Sequence, residues 1–212
     1  MPDRPNVLWL TYEDTSPQFV SCYGQTPVVT TPAMDAMAAD GVRFDNAFAS
    51  APVCSASRSA IITGVCNQSA GLGHHRSTVP VPRDQLPGFP SYLSASGYYT
   101  TNNKKTDYNI EDERAYIDAA WDESSGSAHW RNRQQPEQPF FSVFNYFDSH
   151  QSRTMTKPWG WYEEHVLGNL PDDEIISPDA IAMPPIYRDN GEMRRHVSRV
   201  YNSLKLTDIR IR

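Results

Sequence analysis

Cys54 and Arg58 stand four residues apart in Cys54-Ser55-Ala56-Ser57-Arg58, which leads into the helix-like run Ser59-Ala60-Ile61-Ile62-Thr63-Gly64. Four residues is about one helical turn, so the two side chains share a face. That sets a potential nucleophile beside a fixed cation at a helix start, where unsatisfied N–H groups and the helix dipole favour anions. Three more polar groups end apolar runs: Glu13-Asp14, Lys105 and His150. Carboxylates suit hard cations, lysine suits anions, and histidine exchanges protons near neutral pH. Singly, each has a plain structural reading as a cap, a solvated lysine, a structural histidine or a small buried cysteine. Their order, each at the end of an element, is what argues for a site.

The elements that must position them follow from periodicity. Asn6–Tyr12 is a short apolar run that reads as a buried parallel strand ending in the two acids. Thr31 as N-cap and Pro32 at the first helical position open a helix that Gly41 stops. Val42–Phe48 alternates and predicts a second strand, followed by the Cys54 turn and a helix over about residues 57–63. Phe89–Ser96 reads as a helix, and Tyr98-Tyr99-Thr100-Thr101 as a strand leading to Lys105. The stretch Asp112–Gln138 is polar and reads as surface loop with a little helix. Pro139–Phe147 is the strongest strand and runs into Asp148-Ser149-His150. A Pro-rich connection, 171–185, precedes a last helix over about Glu192–Leu206. Strands alternating with helices predict an α/β fold with a mostly parallel sheet, whose ligand sites lie at the C-terminal ends of the strands.

Bulk properties exclude some classes. At 212 residues the chain suffices for one substantial core. A net charge of −6 argues against a nucleic-acid footprint, so an anionic substrate must be met by local cations. No apolar run approaches the roughly 20 residues of a membrane helix. Met1-Pro2-Asp3-Arg4-Pro5 carries no secretory leader, which predicts a cytoplasmic location for the chain as it stands, or a periplasmic or secreted one if a leader is missing. Three cysteines, Cys22, Cys54 and Cys66, make no disulfide framework.

The residues in sequence order bring a family into view. Asn6–Asp14, Cys22-Tyr23-Gly24, Thr31–Asp35, Gly41–Ala47, Cys54–Arg58 with Thr63-Gly64, Ser96–Thr100, Lys105–Asn109 and Phe140–Arg153 resemble, in order, the N-terminal part of a type I sulfatase of the alkaline-phosphatase-like superfamily. Cys-x-Ala/Pro-x-Arg is the pattern that marks the cysteine converted to formylglycine. The resemblance implies an α/β sulfatase fold, with residues 1–212 as the N-terminal portion of one catalytic domain, cut before the strand that supplies further metal ligands. It implies sulfate-ester hydrolysis on a sulfated carbohydrate or aryl ester. Glu13 and Asp14 would ligate calcium, together with the residue derived from Cys54. Formylglycine at Cys54 would be the nucleophile, Arg58 would hold it, Lys105 would bind sulfate oxygens, and His150 would act at the leaving oxygen. A formylglycine-generating or sulfatase-maturating enzyme is the implied protein partner. The same residues fit a formylglycine-dependent phosphonate or phosphodiester hydrolase, or an inactive truncated remnant.

The match departs in places. Ala56 stands where proline is commoner, Glu13 where aspartate is usual, and Asp107 where many relatives carry a histidine two residues after the lysine. His74 or His75 is a candidate to compensate, against a plain loop reading. Trp159, Trp161 and Tyr162 are either a sugar platform or ordinary packing.

Overall fold

The computed structural model describes residues 4–24 and 29–212; the first three residues of the N-terminal segment read above for a leader lie outside them, as do residues 25–28. The strands are β1 Val7–Tyr12, β2 Tyr99–Asn103, β3 Glu123–Ser124 and β4 Phe140–Tyr146. The helices are α1 Pro32–Asp40, α2 Cys54–Thr63, α3 Asn67–Ala70, α4 Pro90–Ala95, α5 Glu113–Ala120, α6 Gln151–Thr154, α7 Trp159–His165 and α8 Gly191–Ile211. The chain divides into two compact units, Met1–Thr11 with Ala47–Asn145, and Tyr12–Asn46 with Tyr146–Arg212.

The first unit is built on a sheet of order β1-β4-β2-β3. β2 runs parallel to β4, with Tyr99 opposite Phe140 and Asn103 opposite Phe144, and parallel to β3. Apolar side chains of β4 and α5 meet here: Phe141 and Val143 pack with Ile62, Tyr116, Ile117 and Trp121. The Trp121 and Phe141 rings stack at 5.9 Å. Each such buried side chain contributes about 1.5–3 kcal/mol. Gly88 is required for this packing, because a Cβ there would lie 2.6 Å from Ala120 Cβ.

The second unit is organised by α8. Asn190 caps it, Oδ1 accepting from Met193 N at 2.9 Å. Its apolar face packs Val197, Tyr201 and Leu204 against Val29 and Ile181. Leu206 packs instead with Tyr162, Val166 and Leu170. Asp208, fully buried, reaches the first turn of α1 and accepts from the N–H groups of Ala33 and Met34 at 3.1 Å each. Thr31 is the N-cap by position, but its hydroxyl bonds Ser21 and makes no cap.

Four sequence expectations change. Val42–Phe48 is not a strand; Val42, Phe44 and Phe48 are 80%, 69% and 90% exposed. Alternation marks two faces, but a strand also needs a ladder partner, and among the described residues none pairs with this run. β1 is an edge strand and half exposed, with Leu8 at 52%, where a buried strand was expected. The polar stretch Asp112–Gln138 is more ordered than its composition suggests: it holds α5 and β3, and its few apolar residues, Tyr116, Ile117 and Trp121, enter the core. α2 also starts three residues earlier than periodicity alone indicated, at Cys54 itself.

Candidate functional site

The first unit assembles Cys54, Arg58 and Lys105. Val53 is the N-cap of α2, so Cys54 is its first helical residue and Arg58 lies one turn on. Gly64 ends the helix at φ +69°, its N–H returning to Ala60 O, a left-handed closure that glycine takes without strain. The helix is lined with small residues: Ser55, Ala56, Ser59 and Ala60 are all buried. Their size lets loops approach, and their hydroxyls fasten them. Arg76 N donates to Ser55 Oγ at 2.9 Å, and Asn109 N donates to Ser59 Oγ at 2.8 Å. The loop after β2 is thereby anchored to the helix that begins with Cys54.

Arg58 is oriented by two acceptors. Its Nη1 donates to Asn145 Oδ1 at 2.8 Å and to Lys105 O at 3.4 Å. Asn145, at the end of β4, also accepts from Thr11 Oγ1 at 2.8 Å and donates to Asn102 Oδ1 and Asn103 O at 3.0 Å each. Asn102 Nδ2 in turn donates to Lys105 O at 3.2 Å. One amide thus ties the ends of β1, β2 and β4 to the arginine of α2. The Lys105 side chain is nearly buried, and Asp107 Oδ2 lies 3.9 Å from its Nζ. Burial pushes the nearby Tyr108 hydroxyl up to about 12, against the pull of the Arg58 charge.

The second unit assembles Glu13, Asp14 and His150. Glu13 is buried and Asp14 exposed. The backbone carbonyl of Glu13 accepts from Ser149 Oγ at 2.6 Å and from Thr15 Oγ1 at 2.9 Å. Asp14, in the left-handed region at φ +47°, accepts from Gln151 N through Oδ2 at 2.7 Å. These bonds bind the loop after β1 to the loop after β4. A carboxylate oxygen of Glu13 and a ring nitrogen of His150 lie within 4.8 Å. His150 is the N-cap of α6, its Nδ1 accepting from Ser152 N and lying 2.8 Å from Ser152 Oγ. An Nδ1 that accepts an N–H assigns the proton of the neutral ring to Nε2, while Ser152 Oγ is able to accept from Nδ1 when the ring is charged. Buried Asp148 receives Arg153 at 2.8 Å and Arg210 at 2.8 Å, which sets the path of the chain just before His150.

Some residues fall outside these clusters. His74 and His75 are exposed loop residues; His74 serves through its carbonyl, which accepts from Asn109 Nδ2. The aromatic trio makes contacts within the chain, with Trp159 and Trp161 half-buried. Trp161 has His165 stacked at 4.5 Å and Arg153 and Lys157 over its ring, Trp159 has Arg195 over it, and Tyr162 is buried with its hydroxyl on Asn202. Cys22, Cys54 and Cys66 form no disulfide. Sequence reasoning passed over Asn145, Asn102 and Asp148; a lone amide inside the apolar run Phe144-Asn145-Tyr146 was the available signal.

These elements define an α/β protein with a parallel sheet flanked by helices. The model of the sulfatase family matches residues 5–211, and the chain belongs to that family, with its alkaline-phosphatase-like fold. It is 41% identical over 174 residues to an ulvan-active sulfatase of Formosa agariphila, covering 77% of this chain and 28% of the relative. It is 35% identical over 97 residues to an N-acetylglucosamine-6-O-sulfatase of Bacteroides thetaiotaomicron, covering 46% of this chain and 17% of the relative. A solved structure described in complex with its substrate D-glucosamine-2-N,6-O-disulfate superposes with a TM-score of 0.60 at 17% identity, over 99% of this chain and 60% of that one. The chain thus spans less than a third of either relative. No helix among the described residues is long and apolar enough to cross a membrane.

Proposed function

We propose that this protein hydrolyses sulfate esters of a sulfated carbohydrate, with Cys54 converted to formylglycine by a maturation enzyme and with calcium bound by Glu13 and Asp14. Residues 1–212 would contribute these groups to one catalytic domain. The observation that carries the reading is the placement of Cys54 as the first residue of α2, one turn before an arginine held by Asn145 and Lys105. The names of the relatives, and the sulfated glucosamine named for the structural neighbour, support a sugar sulfate.

The donors fit the groups implied. Two consecutive carboxylates, one buried beside a histidine nitrogen, are hard oxygen donors of the kind calcium takes. When bound, calcium supplies charge neutralisation, and hydrated formylglycine supplies a hydroxyl nucleophile. The residues of the chain do the rest. Arg58, held in one orientation, balances negative charge around residue 54 and fixes its position. Lys105 donates to sulfate oxygens and opposes the charge that develops on them. His150 delivers a proton from Nε2 to the departing ester oxygen.

The test begins with the mass of the peptide Val53–Cys66 from protein made alongside a maturation enzyme. Conversion replaces sulfur by oxygen and removes two hydrogens, so a lower mass is expected; an unmodified thiol there would refute the assigned nucleophile. Desulfation of a panel of sulfated sugars by the full-length protein, lost in Cys54→Ala, tests the reaction itself.

A further inference from the structure

We propose that Asp107 makes the anion site at Lys105 discriminate by charge, accepting singly charged sulfate esters and rejecting doubly charged phosphate monoesters. The inference rests on the reading of Lys105 as a sulfate contact and adds a specificity-determining residue to it. Asp107 sits between two cations: Oδ2 is 3.9 Å from Lys105 Nζ, and Oδ1 is 3.6 Å from Arg76 Nε. At 3.9 Å the lysine is within Coulombic reach but beyond hydrogen-bond distance. Oδ2 is buried and accepts no hydrogen bond from the described residues. The side chain is partly exposed, but its buried oxygen is left unmet, which is costly for folding.

Its position is imposed by the backbone. Asp107 lies at φ +57°, and the loop that carries it is fastened to α2 by the bond from Asn109 N to Ser59 Oγ. Arg76, at φ +53°, is fastened to the same helix through Ser55. The carboxylate is therefore held beside the lysine. Lys105 alone would favour a doubly charged ligand over a singly charged one. A fixed negative charge alongside it cancels that advantage, because the repulsion from Asp107 grows with each charge on the ligand while a sulfate ester carries only one. Arg76 is largely exposed and its charge is screened by solvent, so it does not restore the preference.

The experiment measures binding by isothermal titration of phenyl sulfate and phenyl phosphate at pH 8, where the first carries one negative charge and the second two. Wild type, Asp107→Asn and Asp107→Gly are compared in calcium-containing buffer. Asparagine and glycine both accept a left-handed backbone, so either variant keeps the loop geometry, and the second stands in if the first fails to fold. Removing the charge is expected to raise affinity for phenyl phosphate relative to phenyl sulfate by about tenfold, with the gain shrinking as salt is raised. A ratio unchanged within about twofold, or no binding of either ester by any of the three proteins, overturns the proposal. Wild type that shows the charge preference but releases sulfate from no ester would instead sink the sulfatase reading and leave this one standing.

Discussion

Arg58 Nη1 lies 2.8 Å from Asn145 Oδ1, and this single bond joins the helix that begins at Cys54 to the end of the central strand β4. The same oxygen accepts from Thr11, and the amide nitrogen serves Asn102 and Asn103. Asn145→Ala strips acceptors from Arg58 and Thr11 and leaves Asn102 Oδ1 short of a donor. At about 1–3 kcal/mol for a buried group left unsatisfied, a loss of roughly 2–4 kcal/mol is expected, read from the urea midpoint. A change below about 1 kcal/mol would mean that the amide network is not a structural joint.

Arg58→Lys keeps the charge but replaces a planar fork by a point, which is unable to serve Asn145 and Lys105 at once. For the mature, calcium-loaded protein, kcat on a sulfated sugar should fall on the order of a hundredfold with a smaller change in KM. Equal loss in both variants of a conservative pair, Arg58→Lys and Arg58→Gln, would show that charge is irrelevant and that geometry alone matters.

Calcium binding gives a readout independent of turnover. On the proposed calcium site, Glu13→Gln removes a buried carboxylate and should weaken calcium affinity tenfold or more by titration calorimetry, and abolish most of the calcium-dependent rise in Tm expected of the wild type. Calcium affinity equal to that of the wild type would remove Glu13 from the ligand set.

Asp208 caps α1 from the far end of the second unit. Asp208→Ala leaves two N–H groups of the first turn without their acceptor, and a loss of about 1–2 kcal/mol is expected. Phe48→Ser, at a position 90% exposed, should cost less than about 0.5 kcal/mol in the same assay.

Glu174 supplies a pH dependence. Hydrogen bonds from Lys205, then Arg212, hold its carboxyl below the ordinary glutamate value of 4.5. Because the folded group binds its proton more weakly than the unfolded one, its stabilisation is present above about pH 4.5 and is lost as pH falls through the lower folded value. Glu174→Gln should therefore flatten the acid side of a Tm-against-pH profile and leave the neutral side with a smaller slope change. An identical acid limb in both proteins would refute the assignment.

The sequence by itself determined the elements whose signals are local. Pro139–Phe147 announced β4 because an apolar run of that length has few other uses, and Pro32 and Gly41 marked the ends of α1 because proline's fixed φ suits a first turn and glycine's freedom lets the chain leave the helix. It also determined the order of Glu13, Asp14, Cys54, Arg58, Lys105 and His150 along the chain, each at the end of an element, since element ends can be read from periodicity. The tertiary structure alone decided the pairings. Val42–Phe48 alternates like a strand yet finds no ladder, because alternation specifies faces and not partners. Thr31 has the residue type of a cap, but the cap is Asp208, in a contact 175 residues away. Asn145 looked like one polar residue in an apolar strand and became the joint that orients Arg58. The Asp107 carboxylate was visible as a residue type, while its 3.9 Å approach to Lys105 Nζ was not. Such contacts depend on where distant loops close, and closing them is governed by packing and hydrogen-bond satisfaction over the folded chain, which no local window of sequence contains.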